Sequence, residues 1–180
     1  ERCTSLSGTI EIPSKWTTIK KNTFAYCNEI TGLTLHDNLN QIDDRAFYKC
    51  SQLTGRLIIL NSNMKIENEA FSGCRELQQI TNFDKITEIG DAAFAECSSL
   101  TSVLEFNSAI TTIPSYLFYK CSSIVGPLKI TSIISSINEY AFYDCSQLTI
   151  DSDFDLSNLD CINDYSFYNC KSISGDLILS

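Results

Sequence analysis

Ile42 to Leu53 reads IDDRAFYKCSQL, and Ile137 to Leu148 reads INEYAFYDCSQL. The shared order is Ile, three residues, a small or apolar residue, Phe, two residues, Cys, two residues, Leu. The cysteines Cys3, Cys27, Cys50, Cys74, Cys97, Cys121, Cys145 and Cys170 return at intervals of 24, 23, 24, 23, 24, 24 and 25 residues, and from Cys27 onward each carries these neighbours, with Leu or Ile closing the block. A fixed period of about 20 to 30 residues marks a solenoid, in which each repeat buries its apolar side only against the repeats beside it.

The composition agrees with one continuous stack spanning residues 1–180. Of the 10 phenylalanines, seven (Phe24, Phe47, Phe71, Phe94, Phe118, Phe142 and Phe167) occupy the same repeat position, so aromatic usage is set mainly by the core. Phe83, Phe106 and Phe154 lie off that register. The net charge is -9 and no basic stripe exists to neutralise phosphates, which excludes nucleic acid as a partner. Apolar runs stay far below the ~20 residues of a bilayer span, so no membrane segment is expected here. The chain opens just before a cysteine and closes after Leu177-Ile178-Leu179, and it is expected to be a fragment of a longer array.

After each cysteine block comes an apolar-x-apolar element, as in Ile10-Glu11-Ile12, Leu33-Thr34-Leu35, Leu57-Ile58-Ile59, Leu104-Glu105-Phe106 and Leu128-Lys129-Ile130. Alternation with a period of two predicts one short parallel strand per repeat, with one face buried. Ile four residues before Ala and five before Phe predicts a short helical or 3₁₀ turn on the opposite side. The expected fold is therefore a leucine-rich repeat solenoid of about seven to eight rungs. Ile30-Thr31-Gly32-Leu33 has one residue fewer than Leu53-Thr54-Gly55-Arg56-Leu57, and that excess predicts a bulge beside the strand, since a register slip would turn the apolar face outward. Two rungs are irregular: Ile80-Thr81-Asn82-Phe83, with Asn where an apolar residue belongs, and the acidic stretch around Phe154-Asp155-Leu156 before the unpatterned Cys161.

Little in the chain suggests chemistry. Side chains in a ladder of stacked rungs run parallel, so the periodic cysteines are read as buried thiols, not disulfides. With no C-x-x-C pair and one histidine, His36, neither a metal nor any other cofactor is indicated. No phosphate loop or nucleophile elbow is present, and the chain is read as no enzyme. Acidic residues such as Glu67, Glu69, Asp91, Glu139 and Asp164 recur before Phe and read as solvated edges.

What remains is binding. Outward strand residues should form three rows: Thr9, Gly32, Arg56, Gln79, Val103, Pro127, Asp153 and Asp176; then Glu11, Thr34, Ile58, Thr81, Glu105, Lys129, Asp155 and Ile178; then Pro13, His36, Leu60, Phe83, Asn107, Thr131, Ser157 and Ser180. In the middle rungs Ile58, Leu60, Phe83 and Val103 fall together, rimmed by Arg56, Gln79, His36 and Glu105. An apolar centre with a polar rim is the pattern of a protein-binding patch. The alternative is that Phe83 folds back to cover the gap at Asn82 and the others are scattered surface apolars. A second candidate is the tyrosines around Phe: Tyr48, Tyr119, Tyr143 and Tyr168 follow it, and Tyr116, Tyr140 and Tyr165 precede it by two. Such lines bind protein or carbohydrate, or pack amphipathically over the turn edge.

The blocks Ala46 to Leu53 (AFYKCSQL), Ile89 to Leu100 (IGDAAFAECSSL) and Ala141 to Cys145 (AFYDC) resemble the BspA-like, or TpLRR-type, leucine-rich repeat, whose unit is L-x-x-I-x-I-P-x-x-V-x-x-I-G-x-x-A-F-x-x-C. The resemblance runs essentially from residue 1 to residue 180. It implies a right-handed superhelical solenoid and a surface-exposed or secreted protein of the adhesin kind. The chain departs from the unit at the Pro after the strand, present only as Pro13, at the Gly after Ile, present only as Gly90, and at Ala, replaced by Thr23, Leu117 and Ser166. The expected function is a non-enzymatic protein-interaction module of a surface or secreted adhesin-like protein, binding host protein, matrix or cell surface. The runner-up is an intracellular scaffold that binds another protein of the same cell. No N-x-S/T sequon occurs, which sits poorly with heavy glycosylation.

Overall fold

The computed structural model describes residues 6–130, 133–150 and 158–173. The strands expected around Phe154 and Leu177, with the last members of the outward rows, lie outside those residues. Seven Phe–Cys corners, from Phe24 to Cys170, bound about six complete turns of a parallel β-solenoid, slightly fewer than the expected seven to eight rungs.

Most of the described turns carry two strands where the sequence pattern predicted one; between Cys97 and Cys121 the first face holds only an isolated bridge from Glu105 to Lys129. The first four turns hold β1 (Gly8–Glu11), β2 (Thr18–Ile19), β3 (Ile30–Thr34), β4 (Gln41–Ile42), β5 (Gly55–Ile58), β6 (Met64–Ile66), β7 (Leu77–Thr81) and β8 (Ile86–Ile89). Beyond them come β9 (Thr112–Ile113), β10 (Gly126–Pro127), β11 (Ser136–Ile137), β12 (Leu148–Thr149) and β13 (Cys161–Ile162). The predicted strand is the first of each pair, as in β1 on β3 and β5 on β7. Register shifts at Gly8/Thr9 and Gly55/Arg56 are the bulges that absorb the odd residue. The second strand is centred on the repeat Ile, and β2-β4-β6-β8 and β9-β11-β13 form the larger sheets.

The expected helical side is absent among the described residues, apart from a 3₁₀ turn at Phe83–Lys85. Ile, Ala and Phe share an inward face because the backbone there is a chain of turns, not a helix. The residues two before and two after Phe are left-handed in every rung, from Asn22 and Tyr26 (φ 57° and 62°) to Tyr165 and Asn169 (φ 57° and 60°). Positive φ at the third position closes turns of the type II kind, as when Cys27 N–H donates to Phe24 O at 3.1 Å. Left-handed backbone costs a non-glycine residue roughly 1–2 kcal/mol. The offset is an inter-rung ladder: the N–H groups of both left-handed residues and of Phe donate to the next rung, as in Arg45 to Asn68 O, Phe47 to Ala70 O and Lys49 to Ser72 O at 2.7–2.9 Å. Three such bonds occur at each of the six junctions between corners.

Inside the corner the phenylalanines stack, with Phe24–Phe47 and Phe47–Phe71 centroids 5.1 Å apart and rings within 18° of parallel. The stack continues through Phe94, Phe118 and Phe142 to Phe167 at 5.3–5.9 Å. The in-register cysteines from Cys27 to Cys170 are buried as expected, and they do more than fill space; Cys3 lies outside the described residues, and the unpatterned Cys161 is exposed. The in-register thiols of Cys50, Cys74, Cys97, Cys121, Cys145 and Cys170 each donate to the Phe carbonyl of the preceding rung at 3.0–3.3 Å, so Phe47 O accepts both the Cys50 N–H and the Cys74 thiol. Burial pushes the Cys74, Cys121 and Cys145 thiols well above their ordinary range, and Cys170 up to about 11, which keeps the donors protonated.

One seam interrupts both strand stacks. At the position after the repeat Ile, Asp43, Glu67, Gly90, Asn138 and Asn163 each donate an N–H to the Ile of the rung before, at 2.8–2.9 Å. Pro114 stands at that position and has no N–H to give Ile89. β8 and β9 therefore belong to different sheets. On the first face, Ile80 N–H is taken by the Ser102 hydroxyl at 2.6 Å in place of a backbone carbonyl.

Phe83 requires a correction. It does not point outward with His36 and Leu60: it is 5% exposed and belongs to the core. Asn82 adopts φ 60°, ψ 45° and turns the chain back, while its Nδ2 donates to Ile59 O at 3.0 Å. The ring meets Phe106 edge-on at 5.3 Å and lies 6.0 and 6.4 Å from Phe118 and Phe94. It fills the core across the seam that the strands leave open.

Candidate partner-binding surfaces

The first face holds the outward rows. Arg56 opposes Gln79 and Ile58 opposes Thr81 in the β5–β7 pair, and Glu105 bridges to Lys129. Alternation along β5 buries Leu57 and turns Arg56 and Ile58 out. Val103 continues the row of Arg56 and Gln79, because Thr101 N–H donates to Gln78 O at 2.8 Å beside the Ile80–Ser102 bond. Ile58, Leu60 and Val103 are 45%, 42% and 54% exposed, high for large aliphatic side chains. Arg56 and Glu105 are exposed at the rim and Gln79 is half-buried. With Phe83 withdrawn, the exposed aliphatic side chains are Ile58 and Leu60 on one rung and Val103 two rungs on, with Gln79 and Thr81 on the rung between. His36 is half-buried, and neither ring nitrogen meets a hydrogen-bond partner among the described residues.

The corner carries a second surface, and its chemistry changes along the array. In the first four rungs, ion pairs join neighbouring turns: Lys20–Asp43 at 3.8 Å, Lys21–Asp44 at 2.9 Å, Arg45–Glu69 at 2.6 Å, Arg75–Glu96 at 3.2 Å, and Lys65–Glu88 beside them. Each is solvent-facing and contributes at most about 1 kcal/mol. Between them Asp43, Asp44, Glu67 and Glu88 crowd one edge. Partial burial, with Asp44 and Glu88 nearby, raises the Glu67 carboxyl above its ordinary value.

The last three rungs replace charge by aromatic rings. Tyr116, Tyr140 and Tyr165 stack at 4.8 and 5.0 Å, and Tyr119, Tyr143 and Tyr168 at 5.2 and 4.9 Å. The two columns meet within each rung at 5.5–5.9 Å. Desolvation within the stack, followed by the neighbouring Tyr116, Tyr165 and Glu139, holds the Tyr140 phenol above its ordinary value. The tyrosine lines noted in the sequence are thus a double ladder, with Tyr165 and Tyr168 54% and 53% exposed.

Neither surface is an enclosed site. Among the described residues no group of His, Cys, Asp or Glu is placed to hold a metal ion, and no helix is long and apolar enough to cross a membrane. The grooves on the second face are shallow and open; one of about 310 Å³ lies at the seam between Ile89 and Thr112.

Comparison with known proteins gives a consistent picture. The BspA type leucine rich repeat region matches in six copies, over residues 1–72 and 54–174. A leucine rich cell surface protein of Faecalibacterium prausnitzii superposes with a TM-score of 0.58 at 23% identity, over 96% of this chain and 59% of its own. The T. pallidum leucine rich repeat protein gives a TM-score of 0.75 at 19% identity, over 92% of this chain and 78% of its own. A leucine-rich repeat protein from Bacteroides ovatus gives 0.61 at 22%, over 91% and 51%. The chain therefore spans only about half to four-fifths of the length of these structures, and at such identities the likeness is one of fold. No curated protein matches the sequence.

Proposed function

This chain belongs to the BspA-type leucine-rich repeat family, and from that premise we propose that it is a non-enzymatic protein-interaction module of a surface or secreted adhesin-like protein, binding host protein, matrix or cell surface. The family supports protein interaction as the general role. Surface location draws support from the Faecalibacterium neighbour, which is described as a cell surface protein. The observation that carries the reading is the exposed aliphatic centre Ile58, Leu60 and Val103 within the rim of Arg56, Gln79, Glu105 and His36. Solvent-facing aliphatic side chains on the rungs either side of Gln79 and Thr81 offer area to a partner at little conformational cost, because the β5–β7 pair already fixes the backbone beneath Ile58 and Gln79.

Binding to a panel of soluble matrix proteins and to intact epithelial cells tests this. The double variant Ile58→Asp, Leu60→Asp is expected to lose capture by about tenfold or more while melting as the parent does, because both side chains are already in solvent. Full capture by that variant would overturn the assignment of the patch. Location is tested separately, by labelling intact cells with an antibody against the folded array.

A further inference from the structure

The tyrosine ladder is not needed to close the corner. The backbone bonds and the Phe stack already do that at every junction, including those where the outward residues are Arg45, Lys49, Glu69 or Glu96. What settles on such rings is visible within the molecule. The Arg45 guanidinium lies 5.3 Å from the Tyr48 ring centre, Lys49 Nζ lies 5.1 Å from the same ring, and Lys120 Nζ lies 5.0 Å from Tyr119. Each is a cation over an aromatic ring, held by the same two corner positions that flank Phe.

In the sixth and seventh rungs those positions carry no cation. The counterparts of Lys49 and Lys120 are Asp144 and Asn169, and the counterparts of Arg45 are Tyr140 and Tyr165. Among the described residues no cation lies over Tyr140, Tyr143, Tyr165 or Tyr168. Glu139, Asp144 and Asp164 lie along the same corner segments, and none of them is in an ion pair among the described residues. Among the described residues the Asp144 side chain accepts only the Asn169 amide, at 2.6 Å.

We infer that the corner of the sixth and seventh rungs docks an extended arginine- or lysine-rich segment of a partner protein, whose cations take the place over these tyrosines that Arg45, Lys49 and Lys120 hold in earlier rungs. The carboxylates of Glu139, Asp144 and Asp164 supply the matching charge. This surface is distinct from the strand face that carries Ile58 and Leu60, so each stands or falls alone.

The test is fluorescence anisotropy of a labelled peptide of about ten residues alternating arginine and serine, titrated with the protein at low salt and at about 0.5 M salt. Saturable binding that weakens with salt is expected. The pair Tyr165→Asn, Tyr168→Ser should weaken it about tenfold, and Asn at 165 tolerates the left-handed backbone found there. The pair Asp144→Asn, Asp164→Asn should weaken it about threefold. The pair Asp37→Asn, Glu76→Gln removes equal charge elsewhere and should change it less than about twofold. Three results overturn the inference: no binding, equal weakening by the corner and control pairs, or indifference to the peptide together with binding of a neutral β-glucan oligosaccharide that the tyrosine pair abolishes. If the tyrosine pair lowers the melting temperature, the exposed carboxylate pair decides.

Discussion

The first four rungs and the last three share one corner backbone and cover it with opposite chemistry. From Lys20 to Glu96 neighbouring turns are joined by ion pairs; from Tyr116 to Tyr168 they are joined by stacked phenols. Both halves keep the same paired left-handed residues and the same three N–H···O bonds per junction. The difference teaches that the corner is held from within by backbone and by Phe, which leaves its outward positions to vary in chemistry without loss of fold. Variation of that kind is how a repeat scaffold acquires a local binding character.

The boundary between the halves is where the largest effect is expected. Phe83 fills the core across the seam, touching Phe94 on one side and Phe106 and Phe118 on the other. Phe83→Asp should destabilise the array by about 3–5 kcal/mol in chemical denaturation, through the lost ring and a buried carboxylate. A parent-like transition would show that the two halves do not share a core. Next in size is a contrast within the Phe stack. Phe94 is fully buried between Phe71 and Phe118, whereas Phe167 is only partly buried at the far end. Phe94→Ala should cost about 3–5 kcal/mol and Phe167→Ala about 1–2, and equal costs would mean that the last rung packs as tightly as the middle.

A smaller effect concerns the seam itself. Pro114→Ala supplies the N–H that Ile89 lacks, a gain of about 1 kcal/mol that the lost proline rigidity partly offsets. Slow hydrogen exchange of the new amide would show that the ladder had closed, and fast exchange would show that the seam has another cause. Smallest is the charge-bearing half alone. The Glu67 carboxyl is raised by burial and by Asp44 and Glu88, so the folded state favours its protonated form. Its contribution to stability is therefore greatest below the ordinary carboxylate range and falls as pH rises through the raised value. Glu67→Gln should stabilise the fold by less than about 1 kcal/mol at pH 7 and leave it unchanged near pH 3, as read from melting curves.

Much of the architecture was legible in the sequence because a solenoid repeats its constraints. The spacing of Phe and Cys marked the core, the alternation at Leu57-Ile58-Ile59 fixed which side chains face out, and the one-residue excess near Gly55 located a bulge. The second strand was not legible. A two-residue strand shows no alternation, and Ile, Ala and Phe at offsets of four and five imitate a helix. The left-handed pairs were hidden for a related reason: apart from Asn22, Gly73 and Asn169 they fall on residues such as Arg45, Lys49, Glu69 and Tyr116, not on the glycine or asparagine that usually announces positive φ. Of the candidate patch, Ile58, Leu60 and Val103 are exposed as expected, and Phe83 is not. Asn82 in place of an apolar residue was the signal of that turn, and it was open to either reading until the backbone dihedral fixed it.

The uninterrupted corner ladder has a mechanical consequence. The strand ladders are interrupted at the level of Pro114, but the corner bonds from Ala92 to Ser115, Phe94 to Leu117 and Glu96 to Tyr119 pass straight through. A stack bonded continuously along one edge and more sparsely along the strand faces is stiffest at that edge, as a book is at its spine. Bending between the two halves is therefore expected to open the strand faces before it breaks any bond of the corner.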